Sequence, residues 1–477
     1  MFRQVAAAAG GATVSALLIR GLLNKQKTVS KTIADFFGKD ILTLPILTAE
    51  YPLADLANPH LAINHYIQTH AIEHQVIGYI SDDYRQGLSI LITPRASFWA
   101  TEVLIGPVQY RKEYISPQEQ IDCVANGIYL IRTNRGTFAL HLYSPMMDPH
   151  NIIVEVLADK REQASRFLDN IRQYVYTHNI YRNKIITLEA ETGRWGRCVI
   201  RPRFIKLEPI QREQIILPET IKQVIERNTI GFLQQAEHLR RSGRSLKRGI
   251  LLYGKPGTGK TLTARWLAST LSGVTTIVLA AEQLEAVRIA CQMARLLQPA
   301  LVIMEDVDLI ASPRDPQRHP FYQITLHQLL NEMDGIESEA QVLFLLTTNR
   351  PEMLEPALVT RPGRIDQAIH LPLPDAECRR QLFELYGRGM HLMLTEYERF
   401  IQRTEGASPA FIQELLRRAA LIAAEQNALH EDGRVIVRDS HLEMALREML
   451  WSGDELTRRL LGFEEAPTEA LTHEPPS

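Results

Sequence analysis

The pattern of apolar and polar positions changes several times along the chain, and each change predicts a different kind of element. Residues 1–60 read as a helical and loop-like segment that closes near Pro52 and Pro59. From about Gln75 to Lys206 the runs become short and alternating, punctuated by turn residues. Ser89-Ile-Leu-Ile-Thr93 and Glu102-Val-Leu-Ile105 read as strands, and Ile128-Tyr-Leu-Ile-Arg132 joined through Asn134-Arg-Gly136 to Thr137-Phe-Ala-Leu-His-Leu-Tyr143 predicts a hairpin. Ile152-Ile-Val-Glu-Val156 then leads into a helical stretch over 160–178. Residues 61–207 are therefore expected to form an α+β domain with a mostly antiparallel sheet. After Pro209, strand-like cores at 250–253, 275–279, 301–304 and 342–347 alternate with helical patterns. That alternation predicts an α/β domain over 208–374, a parallel sheet covered on both faces. Helical runs at 376–387, 396–403, 409–426 and 441–451 predict a small α-helical lid over 375–452. The closing stretch, 453–477, carries acids, Thr and Pro without periodicity and reads as a disordered acidic tail. No internal repeat interrupts this order.

Composition bounds the picture. The 477 residues are 45% hydrophobic and 23% charged, ordinary for a soluble chain of two or three domains. A net charge of −2 excludes whole-protein electrostatic affinity for nucleic acid or acidic membranes. Cys123, Cys198, Cys291 and Cys378 have no paired spacing, which excludes a zinc ribbon and points to a reducing compartment, read as cytoplasmic. Val5 to Ile19 is apolar but rich in Ala and Gly, and Arg20 cuts it short of a bilayer span. Arg3 and a weak apolar centre loosely resemble a signal or transit peptide. A helix used for packing or assembly is the preferred reading, and membrane association is not favoured.

Candidate chemistry begins with Gly254-Lys-Pro-Gly-Thr-Gly-Lys260-Thr261. This octapeptide lies between the strand-like Gly249-Ile-Leu-Leu-Tyr253 and the helical Leu262-Thr-Ala-Arg-Trp-Leu-Ala268. Glycines there let successive backbone N–H groups turn inward on an anion, and the helix N-terminus adds partial positive charge. Gly254, Pro256, Gly257, Thr258, Gly259, Lys260, Thr261 and Leu262 are the candidate binding residues for a nucleoside triphosphate, read as ATP. Lys260 can reach the β- and γ-phosphates, and the Thr261 hydroxyl can ligate Mg²⁺.

Leu301-Val-Ile-Met-Glu305-Asp306 is an apolar strand ending in two carboxylates. With a phosphate cradle upstream, such a pair can hold Mg²⁺ and orient or deprotonate a lytic water; alone it is equally a plain strand exit. Gln341-Val-Leu-Phe-Leu-Leu-Thr-Thr-Asn349 is a further buried strand, whose Asn349 can position that water or simply start a turn before Pro351. Arg361-Pro-Gly-Arg364, taken alone, is a solvated cationic turn.

Taken together, residues 208–450 resemble an AAA-family ATPase of the AAA+ superfamily. The resemblance runs through 254–261, the acidic strand end, Leu329-Leu-Asn-Glu-Met-Asp-Gly335, Thr347-Thr-Asn-Arg-Pro351, Glu355-Pro-Ala-Leu358 and Arg361-Pro-Gly-Arg-Ile-Asp366. It implies a homo-oligomeric ring, usually a hexamer, with ATP between subunits. By position Glu305 would serve Mg²⁺, Asp306 the water, and Asn349 the place called sensor 1. Arg361 and Arg364 fall on arginine-finger positions that reach a neighbour's ATP. The first two hundred or so residues stay unassigned.

The chain also departs from that family's pattern. Glu305-Asp306 replaces the usual Asp-Glu order, which leads us to expect slower turnover, with a non-hydrolysing ATP switch as the alternative. Lys255 replaces a proline, and an extra residue precedes Arg361. The segment from Thr275 to Pro299 is too short for an aromatic pore loop, and no Phe, Tyr or Trp occurs between Trp266 and Phe321. Ala281, Ala286 and Ala290 offer little grip there, whereas Phe321-Tyr322 could line a second pore loop. Conventional threading for degradation is not expected.

Two weaker patterns remain. His70-Ala-Ile-Glu-His74 matches a zinc-peptidase spacing with His65 nearby, but no third ligand is evident, so a solvated helix face is preferred. Arg194, Trp195, Arg197, Arg201, Arg203 and Lys206 form a basic cluster, read as a linker packing on its own chain rather than a nucleic-acid grip. The resulting expectation is an ATP-hydrolysing AAA ring whose N-terminal domain recruits a protein client or adaptor to be remodelled, disassembled or moved. A nucleotide-gated scaffold is the rival, and a nucleic-acid-processing ATPase the more distant one.

Overall fold

The computed structural model describes residues 27–52, 55–80, 87–93, 102–143, 151–192, 198–279, 286–308, 332–333, 335–337, 339–353 and 364–451. The chain divides into two compact units, one of residues up to 182 with 189–204, the other of 183–188 with 205 onward. The expected N-terminal helix near residue 12 and the acidic tail lie outside the described residues.

In the first unit, β1 (Ile46–Pro52), β2 (Ala71–Ile80), β3 (Leu104–Gly106), β6 (Ile128–Thr133), β7 (Gly136–Tyr143) and β8 (Asn151–Ala158) form a six-stranded sheet, while β4 (Gln109–Tyr114) and β5 (Gln120–Asn126) form a separate hairpin. The sheet order is β1-β8-β7-β6-β2-β3, every pairing antiparallel. Apolar residues cover both of its faces. Tyr129, Ile131, Phe138 and Leu140 join one core with Phe167 and Ile171 of the Arg161–Thr177 helix. Ile128, Leu130 and Ala139 join the other, with Val29, Ile33 and Phe36 of the Val29–Phe37 helix. Burial on both sides explains why β6 opens as an unbroken apolar run rather than an alternating one.

The structure departs from the sequence-based expectation at three places. Residues 29–52 do not precede this domain; they supply a core helix and an edge strand of its sheet. Ser89-Ile-Leu-Ile-Thr93 is not a strand, because Leu88, Leu91 and Ile92 are the buried positions, an i, i+3, i+4 pattern, and Leu88–Ile92 is a helix. The Ala57–His70 helix ends at His70 and β2 begins at Ala71, so His70 and His74 share no helical face.

Strands β9 (Ile185–Thr192) and β10 (Cys198–Phe204) follow, and the division between the units falls within β9. In the second unit, β11 (Lys247–Tyr253), β12 (Thr275–Leu279), β13 (Ala300–Met304), β14 (Val342–Thr348) and β15 (Gln367–His370) pair in parallel in the order β12-β13-β14-β11-β15, and residues 185–187 of β9 lie parallel to β12. All seven residues of β14 are buried, as a central strand covered on both faces requires. Each connection brings the chain back to the same end of the sheet, so the strand tips that carry polar residues gather at one edge.

The lid packs the Ala376–Tyr386, Tyr397–Arg403, Pro409–Glu425 and Asp439–Trp451 helices around Phe383, Phe400, Phe411 and Leu415. It also contains a short parallel pair, β16 (His391–Met393) with β17 (Ile436–Arg438), where only helices were expected. Both long lid helices with side-chain caps start as the sequence suggests. Asp375 accepts from Cys378 N at 2.8 Å, and Ser408 accepts from Phe411 N at 3.2 Å ahead of Pro409.

Gly249 carries a sharp constraint. A Cβ there would sit 1.6 Å from the Arg364 carbonyl oxygen, and Gly249 N donates to Asp366 Oδ2 at 2.9 Å. Gly249→Ala should therefore destabilise the second unit by about 3 kcal/mol or more, read as a lowered denaturant midpoint with an unchanged slope.

Candidate functional site

The loop after β11 is shaped by two glycines in the left-handed region, Gly257 at φ 77° and Gly259 at φ 91°. Gly259 caps the Lys260–Thr270 helix, and its carbonyl accepts from Thr263 N at 2.8 Å. Lys260 is buried at the first helical position, where its Nζ donates to the carbonyls of Gly254 at 2.9 Å and Lys255 at 2.8 Å. Burial pushes the Lys260 ammonium down to about 8, while the carboxylates of Asp306 and Asp308 act in the opposite sense.

The second part is built where β13 ends. Glu305 N donates to Leu279 O at 3.1 Å, tying the exit of β13 to β12. Asp306 then takes a left-handed backbone, φ 52°, a conformation that costs a non-glycine residue about 1 kcal/mol. Asp306 N donates to Thr347 Oγ1 at 3.0 Å and Val307 N to Thr347 O at 2.9 Å, so β14 holds the turn in place. Asn349 Nδ2 donates to Asp306 Oδ1 at 3.1 Å. Asp308, which the sequence reading passed over, accepts from Thr348 Oγ1 at 2.9 Å and from Asn349 N at 3.0 Å. No local pattern marked it, because the chain turns at Asp306 and Val307 before reaching the buried Asp308. Burial raises the Glu305 carboxyl above its ordinary range; Arg265 opposes this and Asp306 adds to it.

These parts share one cavity of about 690 Å³. Pro256, Gly257, Thr258, Gly259, Lys260, Thr261 and Leu262 line it, together with Asp306 and Asn349. Gly254 and Glu305 are not on its wall; a Cβ on Gly254 would meet the Leu371 carbonyl oxygen at 2.3 Å, so glycine there serves close backbone packing. The opposite wall was not legible from motifs. It comes from Ile215 and Leu217 before the first large-domain helix, and from Leu382, Tyr386 and Gln413 of the lid. Apolar walls around a polar floor suit a flat aromatic base carried on a phosphate chain. Gly257 also touches the lid directly, since its carbonyl accepts from Ala410 N at 3.3 Å.

Other expected residues fall elsewhere. Arg364 is only 4% exposed, buried in its own chain, whereas a finger has to be presented to a neighbour. Arg361 lies outside the described residues, as do Phe321, Tyr322, Ala281, Arg194, Trp195 and Arg197. Ala286 and Ala290 are buried at the start and within the Val287–Leu296 helix, so they are core residues and not loop positions. Arg201 pairs with Glu113 and Glu191, and Arg203 with Glu189 and Glu191, so these two members of the basic cluster are neutralised within the chain. Among the described residues no helix is long and apolar enough to cross a membrane.

Residues 250–373 match the model of the family described as ATPase family associated with various cellular activities (AAA). The chain is 34% identical over 253 residues to the ATP-dependent zinc metalloprotease FtsH 3 of Sphaerobacter thermophilus, a stretch covering 51% of this chain and 50% of that protein. It is 34% identical over 242 residues to the proteasome-activating nucleotidase of Methanopyrus kandleri, covering 48% and 53% respectively. Against the human ATPase family gene 2 protein homolog A, identity is 35% over 221 residues, 44% of this chain and 24% of that one. The chain thus spans about half or less of the length of these curated relatives.

If the phosphates of a nucleotide meet Lys260 Nζ, its lowered pKa makes their binding depend on pH. Below about 8 the ammonium is charged; above it the free site loses that charge, which a bound phosphate anion would restore. Nucleotide affinity should fall by up to about tenfold per pH unit above 8. Calorimetry in buffers of different ionisation enthalpy should show proton uptake on binding there, and none near neutrality.

Proposed function

Residues 250–373 are an AAA ATPase domain, and from that premise we propose that the protein is an ATP-hydrolysing ring ATPase that remodels, disassembles or moves a protein client. The observation that carries this reading is the bond from Asn349 Nδ2 to Asp306 Oδ1, 3.1 Å, on the wall of the cavity that Lys260 and Thr261 also line. It joins a carboxylate, a neutral amide and a phosphate-binding lysine around one space.

In this reading the backbone of 254–261 holds the phosphate chain of ATP, with Gly257 and Gly259 in conformations that other residues rarely adopt. Lys260 gives up its carbonyl partners for the β- and γ-oxygens. The Thr261 hydroxyl on the cavity wall fits a hard divalent cation such as Mg²⁺, which prefers carboxylate, hydroxyl and water ligands, while Glu305, off that wall, would act on the ion only through its water shell. When bound, Mg²⁺ supplies neutralisation of charge on the phosphate oxygens. Asp306 accepts a proton from the attacking water, and Asn349 orients both. Asp308 acts one step back: by anchoring Thr348 and the Asn349 backbone, it fixes where that amide points.

Arg364 is buried, so Arg361 is the cation we assign to the neighbouring subunit's ATP. That assignment makes the active unit an oligomer, in keeping with a hexameric ring. The names of similar proteins, a metalloprotease and a proteasome-activating nucleotidase, support a protein as the thing acted on. The first unit, with its own two-faced sheet, is then the element that recruits client or adaptor.

Asp306→Asn should retain ATP binding and lose turnover by a factor on the order of 10²–10⁴, measured as phosphate release against nucleotide affinity. If the variant still supports the protein's cellular role at full strength, the remodelling reading gives way to a scaffold held by ATP. Arg361→Ala should lower turnover by roughly 10³ or more. Mixing Arg361→Ala chains with Lys260→Ala chains should restore part of it, because each supplies the half-site the other lacks. No recovery on mixing would argue against a site shared between subunits.

A further inference from the structure

Away from the nucleotide cavity, the lid brings together three side chains that the chemistry above does not use. His391 opens β16, while His430 and Asp432 lie in the turn that leads to β17. The Asp432 carboxylate joins both rings: Oδ2 lies 2.9 Å from His391 Nε2, and Oδ1 lies 3.1 Å from His430 Nδ1. The ring centroids are 4.0 Å apart. One donor atom from each residue lies within 4.8 Å of the other two.

The backbone on both sides of this group is fixed. His391 N donates to Val435 O at 2.9 Å, and His391 pairs in register with Ile436. His430 N donates to Arg434 O at 2.8 Å, and Gly433 N returns to His430 O at 2.9 Å with Gly433 at φ 81°. Arg434 N donates to Asp432 Oδ1 at 3.0 Å, which orients the carboxylate.

We propose that His391, His430 and Asp432 form a zinc-binding site in the lid, with water completing a tetrahedral shell. Ligand bonds of about 2.0–2.1 Å place tetrahedral donor atoms about 3.3 Å apart, close to the 2.9 Å and 3.1 Å that separate the Asp432 oxygens from the two ring nitrogens. Two imidazole nitrogens and one carboxylate suit zinc and disfavour magnesium, which selects all-oxygen shells. The two facing nitrogens, His391 Nε2 and His430 Nδ1, become ligands when each neutral ring carries its proton on the other nitrogen. Both of those other nitrogens belong to partly exposed rings, where water can accept the proton. Arg434 Nε, 3.7 Å from Asp432 Oδ2, belongs to an exposed side chain and can turn outward as the cation enters. Because the ligands come from both ends of 391–432, the ion would cross-link the strand pair and tie together the ends of the segment that holds the Tyr397–Arg403 and Pro409–Glu425 helices.

The test uses the full chain, stripped with a chelator and held in excess Mg²⁺ and ADP so that the nucleotide site takes no zinc. Titration with zinc chloride should give one ion per chain by calorimetry and a melting temperature raised by a few degrees. The H391A/H430A double substitution should weaken zinc binding by on the order of 100-fold or more and abolish the rise in melting temperature. Unchanged ATP turnover in that variant would show that the lid still folds. Should it not fold, Asp432→Asn keeps the shape and should still lose most of the affinity. Cobalt in place of zinc should give the intense visible bands of a tetrahedral, imidazole-ligated ion. Absence of zinc binding by the unaltered chain, full retention by the double variant, or a weak octahedral cobalt spectrum would each overturn the site and leave a hydrogen-bonded His–Asp–His clamp.

Discussion

The register of β14 against its two neighbours is the constraint on which the site depends. On one side Met304 of β13 sits opposite Leu346, so Glu305 and Asp306 emerge beside Thr347, Thr348 and Asn349. On the other side Tyr253 of β11 sits opposite Thr348, so Gly254 and the glycine turn begin at the same level. A slip of two residues in either ladder would displace one half of the site by about 6.6 Å along the strand. Apolar patterning cannot prevent such a slip, because β13 and β14 are buried on both faces and have no polar side to misplace. The polar bonds at the tips do so instead. Asp306 N to Thr347 Oγ1, Val307 N to Thr347 O, and Thr348 Oγ1 to Asp308 can form in one register only.

Those same bonds support the backbone of Asp306. A left-handed aspartate costs about 1–2 kcal/mol, and each neutral hydrogen bond contributes on the order of 1 kcal/mol in return. Bonds from the Asp306 and Val307 amides, together with the Asn349 amide on its side chain, are enough to offset the strain. What the conformation achieves is direction: the chain turns away from the sheet while the Asp306 carboxylate remains on the cavity wall. An extended Asp306 would continue β13 and carry its carboxylate on past Asn349. The strain therefore belongs to the site and not to a defect in the turn.

Whatever was local in sequence was legible, and whatever depended on distant packing was not. The glycine turn, the apolar cores of β11 to β14 and the lid helices declare themselves within windows of five to fifteen residues, because glycine freedom and apolar periodicity act at that range. Leu88–Ile92 defeated the same reasoning, since five residues of mixed Leu and Ile fit either period until the Val29–Phe37 helix shows which side is covered. The burial of Arg364 was equally hidden: it follows from Gly249 lying against the Arg364 backbone, a pairing more than a hundred residues apart. Asp308 and the apolar wall of Ile215, Leu217 and Tyr386 belong to the same class. Each acquires its place only when β14 or the lid closes over it.

The lid joins the glycine turn of residues 254–261 through contacts that leave little slack. Gly257, within that turn, accepts the Ala410 N–H, one of the amides left without an intrahelical partner in the first turn of the Pro409–Glu425 helix. A Cβ on Gly257 would stand 2.8 Å from Ser408 Oγ and 2.9 Å from the Ala410 Cβ, so the loop already packs against the side chains of Ser408 and Ala410 as closely as glycine allows. Ser408 also caps that helix, and Phe411 and Leu415, within its first two turns, are buried in the lid core. A displacement of Gly257 thus cannot be absorbed at the contact. It either breaks the Gly257–Ala410 bond and leaves a helix-end amide unpaired, or it moves a helix whose apolar face carries the rest of the lid with it. Close packing makes the second course the cheaper one, since breaking the bond costs about 1–3 kcal/mol if the amide stays buried, whereas a rigid shift of the lid keeps its core contacts intact. The glycine-turn end of the cavity and the lid helices are in this way coupled by steric fit at Gly257, where a side chain would press on Ser408 and Ala410.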